Sequence, residues 1–186
     1  LLLGTLVTKI GYKNKASRGI AEARGGQRGP ENVWGSAATG CSLALLSCLW
    51  PNFLNLFMVG FASSFSAKLS DTFSSEIGKR FGKRTFLITT LKRVPPGTEG
   101  AISIEGSMAG LFGSFIMTVF MLNLAIISGL SVAFIVFLSG YLATFLESYI
   151  GAVLQNKIDW MTNELVNFIQ TSIAAIISII LYLKFV

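Results

Sequence analysis

The sequence has no histidine and little charge: 13% of its 186 residues are Asp, Glu, Lys or Arg, about half the fraction usual in soluble domains. Without histidine there is no Ser-His or Cys-His nucleophile, and the commonest general base and zinc ligand are both missing. Chemistry must fall to carboxylates, cations, amides and hydroxyls. The two cysteines, Cys41 and Cys48, would sit roughly 10 Å apart along one helix, too far to bridge each other, and read as buried packing residues. No methionine opens the chain, which begins Leu1-Leu2-Leu3, so its first helix is expected to be cut.

Charge is unevenly spread. None falls in the 36 residues from Asn32 to Ala67 or the 41 from Gly106 to Leu146. A helical membrane span takes about 20 residues, so each stretch has room for two. Neither shows the alternation of a barrel strand, and backbone amides in hydrocarbon must bond internally. The expected fold is an all-α, polytopic membrane bundle forming a single domain over 1–186, with about five to six transmembrane helices and a polar site at one face. Leu1–Ile10 reads as a helix end, Val33–Trp50 as a span stopped by Pro51, and Asn52 as the start of a helix that turns polar after Ala62. That helix either leaves the bilayer or faces a protein-lined cavity. The run 85–90 looks strand-like. Helix breaks are expected near Asn123 and Gly140, and Leu165–Leu183 is the last span.

Counting crossings returns both basic loops and the region from Glu147 to Lys157 to one side. Thirteen of the fifteen cations lie between Lys9 and Arg93, which by the positive-inside rule makes that side cytoplasmic or its organellar equivalent. Residues 11–32 and 78–105 are therefore the expected site-forming loops.

Four polar segments could carry chemistry. Arg24-Gly-Gly-Gln-Arg28-Gly-Pro-Glu-Asn32 places glycines and two guanidinium groups just before a helix, where a phosphate would fit; a flexible positive-inside loop is the competing account. Asp71-Thr-Phe-Ser-Ser-Glu76-Ile-Gly-Lys79-Arg-Phe-Gly-Lys83 supplies oxygen ligands suited to Mg²⁺ beside cations. On an unbroken helix Asp71 and Glu76 would point about 140° apart. Either the helix breaks near Ser74-Ser75, or one carboxylate holds metal while the other orients a cation such as Lys68 or Arg93; salt bridges at a helix end are the plain alternative. Lys92-Arg93-Val-Pro-Pro-Gly97-Thr98-Glu99-Gly is a rigid turn leading to a helix start at Glu105-Gly106. Last, Thr144, Glu147, Gly151 and Gln155, and Asn163, Asn167 and Gln170, recur at spacings that put each set on one helix face, for a lipid phosphate or for hydrogen bonds between helices.

Together, Arg24 to Asn32, Asp71 to Gly78, Arg93 to Thr98 and Glu147-Ser-Tyr-Ile-Gly-Ala152 resemble the membrane family catalogued as domain of unknown function 92, whose plant and cyanobacterial members include the phytyl-phosphate kinases of the vitamin E pathway. The likeness covers nearly the whole chain. Asp71, the segment Gly78 to Lys83 and Thr98-Glu99-Gly100 are more distantly similar to CTP-using lipid kinases and CDP-diacylglycerol synthase.

The resemblance implies a CTP-dependent prenyl-phosphate kinase acting on phytyl, geranylgeranyl or farnesyl phosphate in a plastid envelope, thylakoid or bacterial plasma membrane. It implies Mg²⁺ near Asp71 and phosphate contacts from Lys79, Lys83 and the Thr98 turn; the residues themselves add Glu76 as a second metal ligand, catalytic roles for Asp71, Glu76 and Arg93, and phosphate contacts from Arg24, Arg28, Asn32, Lys92, Gly97, Thr98 and Glu99. Glu105 competes with Glu99 for its role. Expected partners are CTP or another nucleoside triphosphate, a prenyl monophosphate and the membrane, with no nucleic acid and a homodimer left open. A cytidylyltransferase would use the same site and release pyrophosphate. A transporter fits less well, for want of charge in the span centres and of a repeat.

Overall fold

The computed structural model describes residues 2–27, 29–155, 157–158 and 160–186. Two short helices come first, α1 (Leu2–Lys9) and α2 (Tyr12–Ser17), joined at Gly11 with φ 61°. A 3-10 turn (Arg24–Gly26) leads to α3 (Pro30–Leu49). Pro30 takes the first helical position, where its missing N–H costs no bond. Asn32 then turns its Oδ1 back to accept the Gly29 N–H at 3.1 Å. Trp50-Pro51 stops α3, and one 3-10 turn (Pro51–Phe53) reverses the chain into α4 (Leu54–Phe81). Strands β1 (Phe86–Leu87) and β2 (Ala101–Ile102) pair antiparallel, Phe86 opposite Ile102. Then come α5 (Ile104–Asn123), α6 (Leu130–Ile150), a π-helical turn (Gly151–Gln155) and α7 (Asn163–Phe185). Ser103 and Thr162 cap α5 and α7, accepting the N–H groups of Gly106 and Leu165.

Helix α4 is the axle of the bundle, packed against α5, α7, α6 and α3. It is also strongly polar. Ser63, Ser64, Ser66, Ser70, Asp71, Thr72 and Glu76 are all buried in it, while large apolar side chains such as Phe112, Phe134, Ile176 and Leu183 lie exposed on the surrounding helices. That arrangement inverts a soluble core and suits a hydrocarbon solvent, where polar groups bond helix to helix. Ser66 and Ser114 share a hydrogen bond at 2.8 Å, Thr144 donates to Ser70 at 2.9 Å, and Gln170 Nε2 donates to the Ala67 carbonyl at 3.2 Å.

Among the described residues, three helices are long and apolar enough to cross a membrane: Ile104–Asn123, Leu130–Gln155 and Asn163–Phe185. Helices α3 and α4, expected as spans, have 20 and 28 residues but fall short in apolar composition, because their serines, threonines and glycines serve the interior. The polar half of α4 does not leave the protein; it faces a cavity. The helix break expected near Gly140 is absent, and α6 is continuous through it. Gly140 is instead a contact point, since a Cβ there would lie 2.5 Å from Ser66 Oγ. The strand-like run 85–90 shrinks to two residues, as Leu91 at φ 54° turns the chain back.

Candidate functional site

The end of the bundle where α4, α5 and α6 meet the hairpin encloses a polar cavity of about 120 Å³. One wall is α4, with Lys68, Asp71, Thr72, Ser75 and Lys79. The Pro96 to Ala101 turn covers it, Glu147 and Ser148 of α6 and Asn163 of α7 close the sides, and Glu22 reaches in from the first loop. That loop and the second meet here: Gly97, at φ 92°, packs so closely on Ile20 that a Cβ would fall 2.6 Å from Ile20 Cγ2. The turn therefore needs glycine twice over, for its backbone and for the approach.

Lys68 is held firmly in the cavity wall. Its Nζ donates to Asp71 Oδ2 and to Asn167 Oδ1, each at 2.7 Å, and its side chain is 12% exposed. The i, i+3 spacing puts Lys68 and Asp71 on one helix face. Ser75 donates to the second Asp71 oxygen at 3.4 Å. Because its Oδ1 is committed to Lys68, Asn167 turns its Nδ2 the other way, where that group is buried without a hydrogen-bond partner. The Oε1 of Gln155 is likewise buried and unpartnered, close to Gly151.

Helix α4 is continuous through Ser74-Ser75, so Asp71 and Glu76 diverge as an unbroken helix requires. Glu76 borders the cavity, yet its carboxylate is engaged by Lys15, which is fully buried and also donates to the Thr8 carbonyl at 2.8 Å. A buried ion pair of this kind ties α2 to the site helix. It leaves Glu76 a tether, and its expected joint ligation of a metal with Asp71 has no support in the geometry.

The remaining candidates divide between cavity and rim. Lys79, Gly97, Thr98 and Glu99 line the cavity, with Thr98 Oγ1 donating to the Pro95 carbonyl at 2.8 Å. Loss of hydration against the wall raises the Glu99 pKa above the ordinary 4.5, with Lys79 opposing and Asp71 adding to the rise. Glu105 is placed differently, with Oε1 accepting the Lys83 N–H at 3.3 Å at the start of α5; between the two, Glu99 is the one that faces the cavity. Lys83, Lys92 and Arg93 are exposed and outside the cavity wall, Arg93 being held by its bridge to Phe86. Arg24 is exposed and paired with Glu31 at 2.7 Å; Arg28 lies outside the described residues. Asn32 serves the α3 start, and its Nδ2 reaches Glu164 Oε1 at 3.5 Å.

A second, apolar cleft of about 270 Å³ adjoins the first, lined by Gly4 of α1, Val33 and Ala37 of α3, Phe65 and Leu69 of α4 and Met117 of α5. Lys68 and Thr72 border both spaces.

Sequence reasoning weighed Lys68 only as a cation for a carboxylate to orient, although its i, i+3 spacing to Asp71 was a usable signal. Lys15 and Glu22 had none, because their roles depend on partners 61 residues away and on loop packing.

Among the described residues no three metal-ligating side chains cluster, which rules out an all-protein cage there. Mg²⁺ is bound through one or two carboxylates with waters and phosphate oxygens completing its shell, so Asp71 with either Glu99 or Glu147, each of which lines the cavity, would suffice.

The family model described as "Integral membrane protein DUF92" matches residues 1–175. The chain is 51% identical over 178 residues to "Uncharacterized membrane protein sll0875" of Synechocystis, covering 95% of this chain and 69% of the relative. It is 45% identical over 184 residues to "Protein VTE6, chloroplastic" of Arabidopsis thaliana, covering 97% of this chain and 55% of that one. To "Uncharacterized membrane protein MJ0933" of Methanocaldococcus jannaschii it is 35% identical over 119 residues, covering 64% and 48%. The chain thus spans about half to two thirds of these relatives' lengths. No solved structure matches it.

Proposed function

Because the chain belongs to the DUF92 family of integral membrane proteins, we propose that it is a membrane phosphotransferase converting a prenyl monophosphate, phytyl phosphate or its geranylgeranyl or farnesyl relative, to the diphosphate, with CTP as donor. The observation that carries this reading is Lys68, held by Asp71 and Asn167 in the wall of a polar cavity at one end of a membrane bundle. The motifs that resemble the phytyl-phosphate kinases, and the 45% identity to VTE6, support the acceptor class.

The chemistry suits a site without histidine. A phosphate monoester has a second pKa near ~6, so the acceptor is mainly dianionic at neutral pH and needs no base. One of its oxygens attacks the terminal phosphorus of the nucleotide, the bond from that phosphorus to the bridging oxygen breaks, and the nucleoside diphosphate leaves. No proton moves. What remains is to hold two polyanions in line and neutralise spreading charge. Lys68 and Lys79 supply fixed positive charge, and the rigid Pro96-Gly97 turn limits water. Magnesium, held by Asp71 with Glu99 or Glu147, would supply further neutralisation of the phosphates.

Purified protein in detergent, given CTP or ATP with prenyl phosphates, is expected to yield the prenyl diphosphate. Lys68→Met and Asp71→Asn should each lower kcat by about 100-fold or more while thermal unfolding shows a folded protein. Arg93→Ala, outside the cavity wall, should cost far less. Wild-type turnover in both Lys68→Met and Asp71→Asn would reject the assignment, and release of pyrophosphate with a CDP-lipid would reassign the site to cytidylyl transfer.

A further inference from the structure

We infer that the apolar cleft beside Lys68 is the seat of the acceptor's hydrocarbon tail, and that Phe65, fixed in place by Gly40, closes its far end and limits how much tail the protein grips. The inference rests on the phosphotransfer reading for the headgroup, but its evidence is separate.

Phe65, Leu69 and Thr72 follow one another at steps of four and three on α4, so they form a stripe along one helix face. Lys68 and Asp71 stand on the neighbouring face. A ligand with its phosphate at Lys68 Nζ would therefore run its tail along Leu69 towards Phe65, leaving the polar cavity where Lys68 and Thr72 border both spaces. Thr72 suits that border: its hydroxyl is turned back to the Lys68 carbonyl at 3.0 Å, while its methyl faces Gly4 of α1. Val33 and Ala37 of α3 and Met117 of α5 complete an apolar lining, and Met is adaptable enough to follow a branched chain.

Phe65 stands at the end of the stripe farthest from Thr72. A Cβ on Gly40 would lie 2.5 Å from the Phe65 ring, so glycine lets the edge of that ring come close to the α3 backbone. Phe65 also meets Phe61 in a tilted ring contact, 4.9 Å between centroids and 56° between planes, and Phe61 packs on the core formed by Val59, Ala62 and Met121. From Thr72 to Phe65 the helix rises only about 10 Å, much less than an extended diterpenyl chain. The cleft grips the first isoprene units, and the remainder lies in the bilayer.

The test uses the intact protein in detergent or nanodiscs. A prenyl monophosphate with a photoreactive group on its second isoprene unit should label peptides containing Val33, Leu69 or Met117, and unlabelled prenyl phosphate should compete where bulk phospholipid does not. Labelling confined to lipid-facing positions such as Phe112 and Phe134, or competed equally by phospholipid, would overturn the inference. Phe65→Ala and the milder Phe65→Leu should shift the ratio of kcat/KM for geranylgeranyl over geranyl phosphate upward, by about tenfold for Ala; an unchanged ratio in folded Phe65→Leu would also overturn it. Cleft labelling without turnover would keep the tail site and sink phosphotransfer, whereas turnover without cleft labelling would do the reverse.

Discussion

Two lysines on different elements set the terms of the site, Lys15 fully buried and Lys68 partly so. Lys68 faces a cavity and keeps donors near an anion's path, while Lys15 is spent on Glu76 and touches no open space. Removing one partner from a buried pair costs about 3–5 kcal/mol, because the other charge is stranded, while replacing both can be close to neutral. Lys15→Met is accordingly expected to lower the thermal midpoint sharply in detergent, and Lys15→Met combined with Glu76→Leu to recover most of it. A double variant no more stable than the single one would show that the pair is not what joins α2 to α4. Glu99 supports a pH test. Its folded-state pKa lies above 4.5, so the folded protein holds its proton more tightly than the unfolded chain does. Its contribution to stability is present below the ordinary carboxylate range and is lost as pH rises through the raised value. Glu99→Gln should flatten that decline in a pH series of unfolding midpoints, and an identical pH profile would count against the assigned environment.

At the scale of elements, α4 decides the architecture. A helix carrying so many hydroxyls and charges could not face lipid, and its neighbours meet it through small residues. Gly140 is one such case, a Cβ there falling 2.5 Å from Ser66 Oγ. Gly140→Val must push α6 away from α4, and overpacking of this kind costs about 1–3 kcal/mol. It should lower the unfolding midpoint, whereas Leu142→Val, on the exposed side of the same helix, should change little. Equal behaviour of the two variants would show that the close approach is not needed. The continuity of α4 also explains why Asp71 and Glu76 serve different partners, since a rigid helix turns them to different sides.

For the whole molecule, the starts of α3, α5 and α7 and the ends of α4 and α6 gather at one end, and the turns Trp50–Phe53 and Leu124–Gly129 lie at the other. In proteoliposomes, with Cys41 and Cys48, which are exposed rather than buried as expected, replaced by Ala, a single cysteine at Lys83 or Lys157 should react with an impermeant maleimide from the same side, and one at Asn52 or Ala125 from the opposite side. Labelling of Lys83→Cys and Lys157→Cys from opposite faces would break the arrangement on which the cavity depends.

Much of this was legible from composition and spacing. Uncharged stretches marked the helical hairpins, Pro51 marked a helix stop, and parity placed the polar motifs at one end, because hydrocarbon imposes the same demands on every backbone amide. The divergence of Asp71 and Glu76 followed from helical geometry alone. Tertiary structure decided the rest. That Lys15 engages Glu76, that Glu99 rather than Glu105 faces the cavity, that Arg93 stands aside, that Gly140 packs instead of breaking a helix, and that Phe65 ends an apolar cleft all depend on contacts between distant segments. A local pattern limits which face a side chain can occupy; only the packed neighbours determine whether that face meets lipid, water or another charge.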